Sequence, residues 1–312
     1  MSSRSHKLSR NCDRVVGTGL VALDRIHVGT EEPLFEELGG SCGNVLISLA
    51  MLGRSVTPLL RLGCDMVGGR LERDLRAAGA DTRLVSRRSD VTSPVIVELL
   101  DLASSNHTFS FNCPQSLEQF ALYEPITHRE FEPARAMVAS CSLFYADRIS
   151  ETICDAMEAA ASGGAIVYFE PSGICDSEQF SRALSIAHIF KYSVDRLDPA
   201  TAGSLRSEAF SIVTAGRSGL EVRHAGKVHR CEALDAETVR DTCGAGDMVT
   251  LGLLDTIIHR AVRGPAALSI ATVLAGVRSG QRLAAANCAY IGARGIFRER
   301  GAQHARKILA EA

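Results

Sequence analysis

A chain of 312 residues with 46% hydrophobic and 22% charged residues has the make-up of an ordinary folded protein, one large α/β domain or two smaller ones. Its formal charge of −2 and pI near 6.5 exclude the broad electropositive surface that nucleic acid or an anionic membrane would demand. The expected partner is a small molecule, with no nucleic acid and no membrane.

Ten cysteines, at 12, 42, 64, 113, 141, 154, 175, 231, 243 and 288, are scattered without a C-x-x-C pair or a tight Cys/His cluster. That spacing suggests neither zinc nor a disulfide scaffold, and favours buried thiols in a reducing, cytoplasmic setting. The first residues, MSSRSHKLSRNCDR, carry basic side chains with no apolar run behind them and read as a frayed tail. No later apolar run reaches membrane-spanning length.

In chain order, VVGTGLVAL (15–23) reads as a buried strand with Asp24 at its end. A helical pattern runs from Asn44 to Leu52, with Val45, Leu49 and Leu52 on one face and Gly53 as its stop. Thr57 to Leu62 reads as a strand. GCDMVGG then leads into a helix that buries Leu71, Leu75 and Ala78 and ends near Gly79. The alternation recurs at Phe144, IVYFE (166–170), HIFKYS (188–193) and FSIVTAG (210–216), which argues for a parallel sheet covered on both faces.

Two stretches break the rhythm. Residues 25–38 and 94–112 look like strands without an intervening helix, and His107, Phe109 and Phe111 alternate with polar residues as in a half-exposed antiparallel strand. They predict a small β-sheet lid, so that 13–24, 39–93 and 114–312 form the core and 25–38 and 94–113 the lid. In the C-terminal third, Pro265 is expected to open a helix, followed by two small-residue helices over ALSIATVLAGV and RLAAANCAYIG that can pack closely.

The chemistry concentrates in DTCGAGD, 241–247. Gly244, Ala245 and Gly246 leave backbone N–H groups open to an anion at a helix start, where the helix dipole also favours negative charge. Asp247, at the same end, is placed to take a proton from an alcohol attacking a phosphorus atom. A bare glycine turn with a dipole-favoured acid would look similar, but the fixed offsets of Asp241, Thr242 and Asp247 favour a functional motif.

DTCGAGD resembles the C-terminal signature of the ribokinase-like (PfkB) carbohydrate kinases. LGGSCGNV (38–45), LGCDMVGGRLERDLRAAGADT (62–82), FEPSG (169–173) and TAGRSG (214–219) match further family segments in the right order, over about residues 13–300. The resemblance implies a three-layer α/β/α fold with a mainly parallel sheet and a β lid. It also implies transfer of the γ-phosphoryl group of ATP, with Mg²⁺, to a sugar or sugar-acid hydroxyl, a CH₂OH being favoured.

By position, it makes Asp247 the catalytic base and Gly244, Ala245 and Gly246 the anion hole. Asp24, Gly39, Gly40 and Asn44 become sugar-binding positions, and Thr214, Gly216, Gly219 and Thr242 cofactor-binding positions. Asp241 matches an acid near the site where some members hold a monovalent cation such as K⁺. Lid-mediated homodimers are frequent among similar proteins, and a homodimer is expected here.

The departures are specific. KYSVDR (191–196) has Ser193 and Arg196 where the family has the Asn and Glu of N-x-x-E, which help to organise Mg²⁺. Asp195 is the candidate replacement carboxylate. Leu251 and Cys42 stand where small residues are usual, Glu170 where many members have Asp, and Ala22 and Ser41 where ribokinases proper have Asn and Lys, which weakens ribose as the acceptor. Two alternatives stay open: a nucleoside kinase with Phe109 and Phe111 stacking a base, and a catalytically weak ligand-binding or regulatory relative.

Overall fold

The structure, a computed structural model, describes residues 13–29, 32–103, 105–174, 176–198 and 205–311. The N-terminal tail with Cys12, parts of the lid segments (30, 31 and 104) and Cys175 lie outside the described residues. Among those described, β1 (Val15–Thr18), β2 (Ala22–Val28) and β3 (Phe35–Gly39) lead into helix α1 (Ser41–Met51). Then come β4 (Val56–Pro58), β5 (Leu60–Gly63), α2 (Met66–Ala77), β6 (Val85–Arg88), β7 (Val95–Asp101) and β8 (Asn106–Ser110). The middle of the chain runs α3 (His128–Ala139), β9 (Leu143–Ala146), α4 (Glu151–Ser162), β10 (Ile166–Phe169), α5 (Ser177–Ile186) and β11 (Ile189–Ser193). It closes with β12 (Phe210–Thr214), β13 (Leu220–His224), β14 (Lys227–Cys231), α6 (Ala245–His259), α7 (Ile270–Asn287) and α8 (Gly295–Ala310).

The large sheet has eight strands in the order β14-β13-β12-β11-β10-β9-β1-β4. Pairing is parallel from β4 to β12 and antiparallel only in the β13–β14 extension. Apolar residues point alternately to its two faces. Val15, Leu143, Tyr145, Ile166 and Tyr168 pack with α1, α6, α7 and α8, whereas Val16, Phe144, Val167 and Phe169 pack with α3, α4 and α5. Burial on both faces is why these strands read as continuous apolar runs.

A second sheet of four strands, β3-β2-β7-β8, stands apart from the first, and β5 and β6 form a two-stranded parallel pair. Helices α6 and α7 approach to backbone contact: a Cβ on Gly252 would lie 2.3 Å from Gly280 Cα. No helix among the described residues is long and apolar enough to cross a membrane.

Three expectations are corrected. The strand foreseen over 15–23 breaks at Gly19, so Asp24 is the third residue of β2 in the small sheet and does not end a core strand. Gly19 has φ +143°, and a Cβ there would fall 1.6 Å from Asp147 Oδ1; that carboxylate instead accepts the Leu20 amide at 2.9 Å. The strand foreseen over 57–62 divides after Pro58, which has no N–H to continue the ladder with β1, and β5 pairs with β6. In the C-terminal third, Pro265 opens only a three-residue 3₁₀ turn, and α7 begins after Ser269, whose Oγ accepts the Thr272 amide at 3.2 Å. The two helices expected there are mostly one, since Gly280 between them is held helical by close packing on α6, where a Cβ would lie 2.6 Å from Val249 Cα.

Candidate active site

The parallel strands carry their C-terminal ends to one edge of the sheet, the place where open α/β sheets bind ligands. Asp147 follows β9, Glu170 follows β10, Ser193 ends β11 and Thr214 ends β12. Helix α6 opens at the same edge with Asp247 in its first turn. Its cap residue Gly244 is left-handed, φ +73°, and a Cβ would meet the Ala293 carbonyl oxygen at 2.5 Å. Only glycine satisfies both conditions, which is the local reason for the sequence GAG.

The first amides of a helix have no intrahelical acceptor. The Ala245 amide turns back to Thr242 O at 3.2 Å, and those of Gly246 and Asp247 face out of the helix end by its geometry. Lys191, from the middle of β11, is buried against this turn: a Cβ on Gly246 would lie 3.5 Å from its Nζ. The Lys191 ammonium also pairs with Glu170 Oε1, while Thr250 Oγ1 donates to Glu170 Oε2 at 2.6 Å and lies 3.1 Å from Tyr168 Oη. Helix amides and a fixed ammonium together make a place for an anion.

Asp247 is half-buried, and Asn44 from α1 donates its Nδ2–H to Asp247 Oδ2 at 2.8 Å. Desolvation and then the Glu170 charge push the Asp247 carboxyl up to about 7, against the opposing pull of Asn44 and Lys191. A carboxylate poised there can accept a proton near neutral pH.

Arg294, just before α8, is buried and reaches Asn44 Oδ1 at 3.3 Å, Leu38 O at 2.5 Å and Glu37 at 3.4 Å. Asp24, paired across the small sheet with Glu37, lies against Gly39, where a Cβ would fall 1.7 Å from its Oδ2. Burial and the Glu37 charge push the Asp24 carboxyl up to about 7, and its Oδ1 is buried without a hydrogen-bond partner among the described residues. An unpaired buried acceptor beside a cleft is suited to a ligand hydroxyl. The structure thus gathers Asp24, Gly39, Gly40, Asn44 and Asp247, residues that are up to 223 positions apart in the chain (247 − 24).

Other expected site residues are placed as follows. Thr214 Oγ1 donates to Tyr192 O at 3.3 Å, and Gly216 and Gly219 form the tight turn between β12 and β13 at φ +51° and +86°. Thr242 is exposed at the mouth of the α6 turn. Asp195 is exposed, its Oδ2 3.4 Å from Ser193 Oγ, and does not join the Asp247 cluster. Asp241 is fully buried and takes the amides of Cys243 at 2.8 Å and Gly292 at 2.7 Å.

The profile of the pfkB family carbohydrate kinases matches residues 28–299. The chain belongs to the pfkB family of carbohydrate kinases. It is therefore a phosphotransferase with an alcohol group as acceptor, of the ribokinase-like fold. The curated fructokinase of Escherichia coli is 28% identical to this pfkB kinase over 240 residues, covering 69% of it and 75% of that protein. A fructokinase from Xylella fastidiosa with bound ATP superposes with a TM-score of 0.75 at 19% identity, over 97% of this chain and 100% of that one. An aminoimidazole riboside kinase from Salmonella enterica, complexed with aminoimidazole riboside and an ATP analog, gives 0.73 at 18% identity, covering 95% and 100%.

Sequence reasoning missed Lys191, Asp147 and Arg294 in this pfkB kinase. Lys191 sits inside KYSVDR, a segment read only for metal-organising side chains; a lysine amid an apolar strand is the signal that was there. Asp147 and Arg294 act through contacts with residues more than 100 positions away, at Leu20, Cys42 and Asn44, and no local pattern marks them.

Proposed function

We propose that the protein transfers the γ-phosphoryl group of ATP to a hydroxyl, a CH₂OH, of a sugar or sugar acid. One observation carries this reading: Asp247 stands at the amide-bearing end of α6, beside Lys191, and is joined through Asn44 and Arg294 to the pocket of Asp24. In that geometry the Asp24 carboxylate, with Gly39, Gly40 and Asn44, holds acceptor hydroxyls. Asp247 takes the proton of the attacking hydroxyl as its oxygen bonds to the γ-phosphorus, and the bridging oxygen leaves with its electron pair on ADP. The amides of residues 244–246 and the Lys191 ammonium balance the charge on the transferred group. Thr214, Gly216, Gly219 and Thr242 line the nucleotide's side of the cleft.

Mg²⁺ asks for carboxylate oxygens and leaves much of its octahedron to water and phosphates. Both oxygens of Glu170 are engaged by Lys191 and Thr250, and Asp195 faces its own turn. The described residues do not form a ready Mg²⁺ cage, so the ion would come with the nucleotide's phosphates. The open edges of the small sheet, β3 and β8, support a homodimer.

The test is ADP release, by a coupled assay, over a panel of sugars, sugar acids and nucleosides. The description of the E. coli relative makes fructose the first acceptor to try. A sugar or sugar acid turned over with a phosphorylated product supports the reading. Phe109 and Phe111, 46% and 43% exposed at the edge of the small sheet, favour a nucleoside as the second reading, which preferential turnover of nucleosides would establish. Nucleotide binding by calorimetry with no ADP release on any acceptor would instead make the protein a ligand-binding relative.

A further inference from the structure

Where DTCGAGD begins, three side chains from distant parts of the chain converge. Glu98 lies on β7 and His107 on β8; His107 pairs across the ladder with Leu100, two residues from Glu98, so both project from one face of the small sheet. Opposite them is Asp241, the first residue of DTCGAGD. One ligand atom from each of the three lies within 4.8 Å of the others, and His107 Nδ1 is 3.3 Å from Asp241 Oδ1.

The hydrogen bonding around this cluster is incomplete. Glu98 is 1% exposed, and its Oε1 is buried with no hydrogen-bond partner among the described residues. His107 Nδ1 is likewise buried and is held only by a poorly aligned polar contact to Asp241 Oδ1 at 3.3 Å, with no well-formed hydrogen bond among the described residues. A buried, orphaned carboxylate oxygen in a cluster of two carboxylates and an imidazole suits a cation. An alkali ion prefers oxygens alone, whereas imidazole with carboxylates is a donor set for Zn²⁺ or Mn²⁺, bound at about 2.0–2.2 Å in the case of zinc.

We propose that Glu98, His107 and Asp241 bind one divalent transition-metal ion, which ties the small sheet to the loop that opens the catalytic helix. The ion would be structural: it is held by a buried face of the lid strands, and Asp247 is not among its ligands.

Chelator-stripped protein should be titrated with ZnCl₂ and, separately, MnCl₂ in a buffer containing KCl. Calorimetry and elemental analysis after dialysis read affinity and stoichiometry, beside wild type, Glu98→Gln and His107→Ala. The proposal expects one ion per wild-type chain, at least about tenfold weaker binding in each variant, and a metal-dependent rise in Tm in wild type alone. Co²⁺ substitution should give visible absorption bands that His107→Ala alters. Circular dichroism of the metal-free variants checks that they fold, and Glu98→Gln, nearly the same size as the wild-type side chain, carries the test should His107→Ala fail to fold. Equal binding in wild type and variants, no divalent binding, or stabilisation by K⁺ that neither divalent ion competes with would each overturn the proposal.

Discussion

The two carboxylates that bracket DTCGAGD are six residues apart and have opposite electrostatics. At Asp241, burial pushes the carboxyl up, but the His107 imidazole and the amides of Cys243 and Gly292 outweigh it and hold the group below the usual carboxylate range. At Asp247, burial and Glu170 outweigh Asn44 and Lys191, and the carboxyl rises to about 7. The first is fixed as a charge by two backbone donors; the second is left near the pH at which a base can both accept and release a proton. Burial alone therefore decides neither case. The difference lies in how many donors the fold aims at each oxygen.

Replacing each end separately should break this contrast most sharply. Asp247→Asn is expected to lower kcat by about 10²–10⁴-fold while calorimetry still finds ATP bound; near-normal turnover would remove Asp247 from the chemistry. Lys191→Met should reduce kcat by about 10²-fold through loss of charge at the helix end. It is best measured together with Glu170→Gln, since a lone buried Glu170 would destabilise the fold by about 3–5 kcal/mol. Asp241→Asn should act chiefly on stability, lowering it by about 1.5–3 kcal/mol in denaturant titrations through weakened bonds to the two amides, with a smaller loss of kcat than Asp247→Asn.

The last expected effect concerns stability against pH. The folded state holds the Asp247 proton to about 7 against 3.8 for the free group, so it binds more protons than the unfolded chain in that window and wild-type stability falls as pH rises through it. Asp247→Asn removes this penalty. Its Tm should exceed that of wild type most clearly above pH 7, with the gap closing toward pH 3.8. An unchanged gap across that range would mean Asp247 titrates normally.

What the sequence discloses follows from the range of the forces involved. The parallel strands are legible because burial on two faces makes them apolar runs, and α6 is legible because the GAG turn and the run from Met248 to Ile258 are local. The β13–β14 hairpin was within reach but overlooked: Ala225 and Gly226, both at positive φ, are a two-residue turn between alternating segments. The break at Gly19 was out of reach, because its cause is Asp147, which takes the amide of the next residue, Leu20, 127 positions away. Likewise the spacing of Cys and His gives no hint of the Glu98–His107–Asp241 cluster, which pairing of β7 with β8 creates.

The most direct test of the contrast within DTCGAGD is the pH dependence of kcat/KM for the best acceptor in the panel. With Asp247 as the base, kcat/KM should fall about tenfold per pH unit below an inflection near 7. A profile that stays flat from pH 8 down to the ordinary aspartate value of 3.8 would contradict the account.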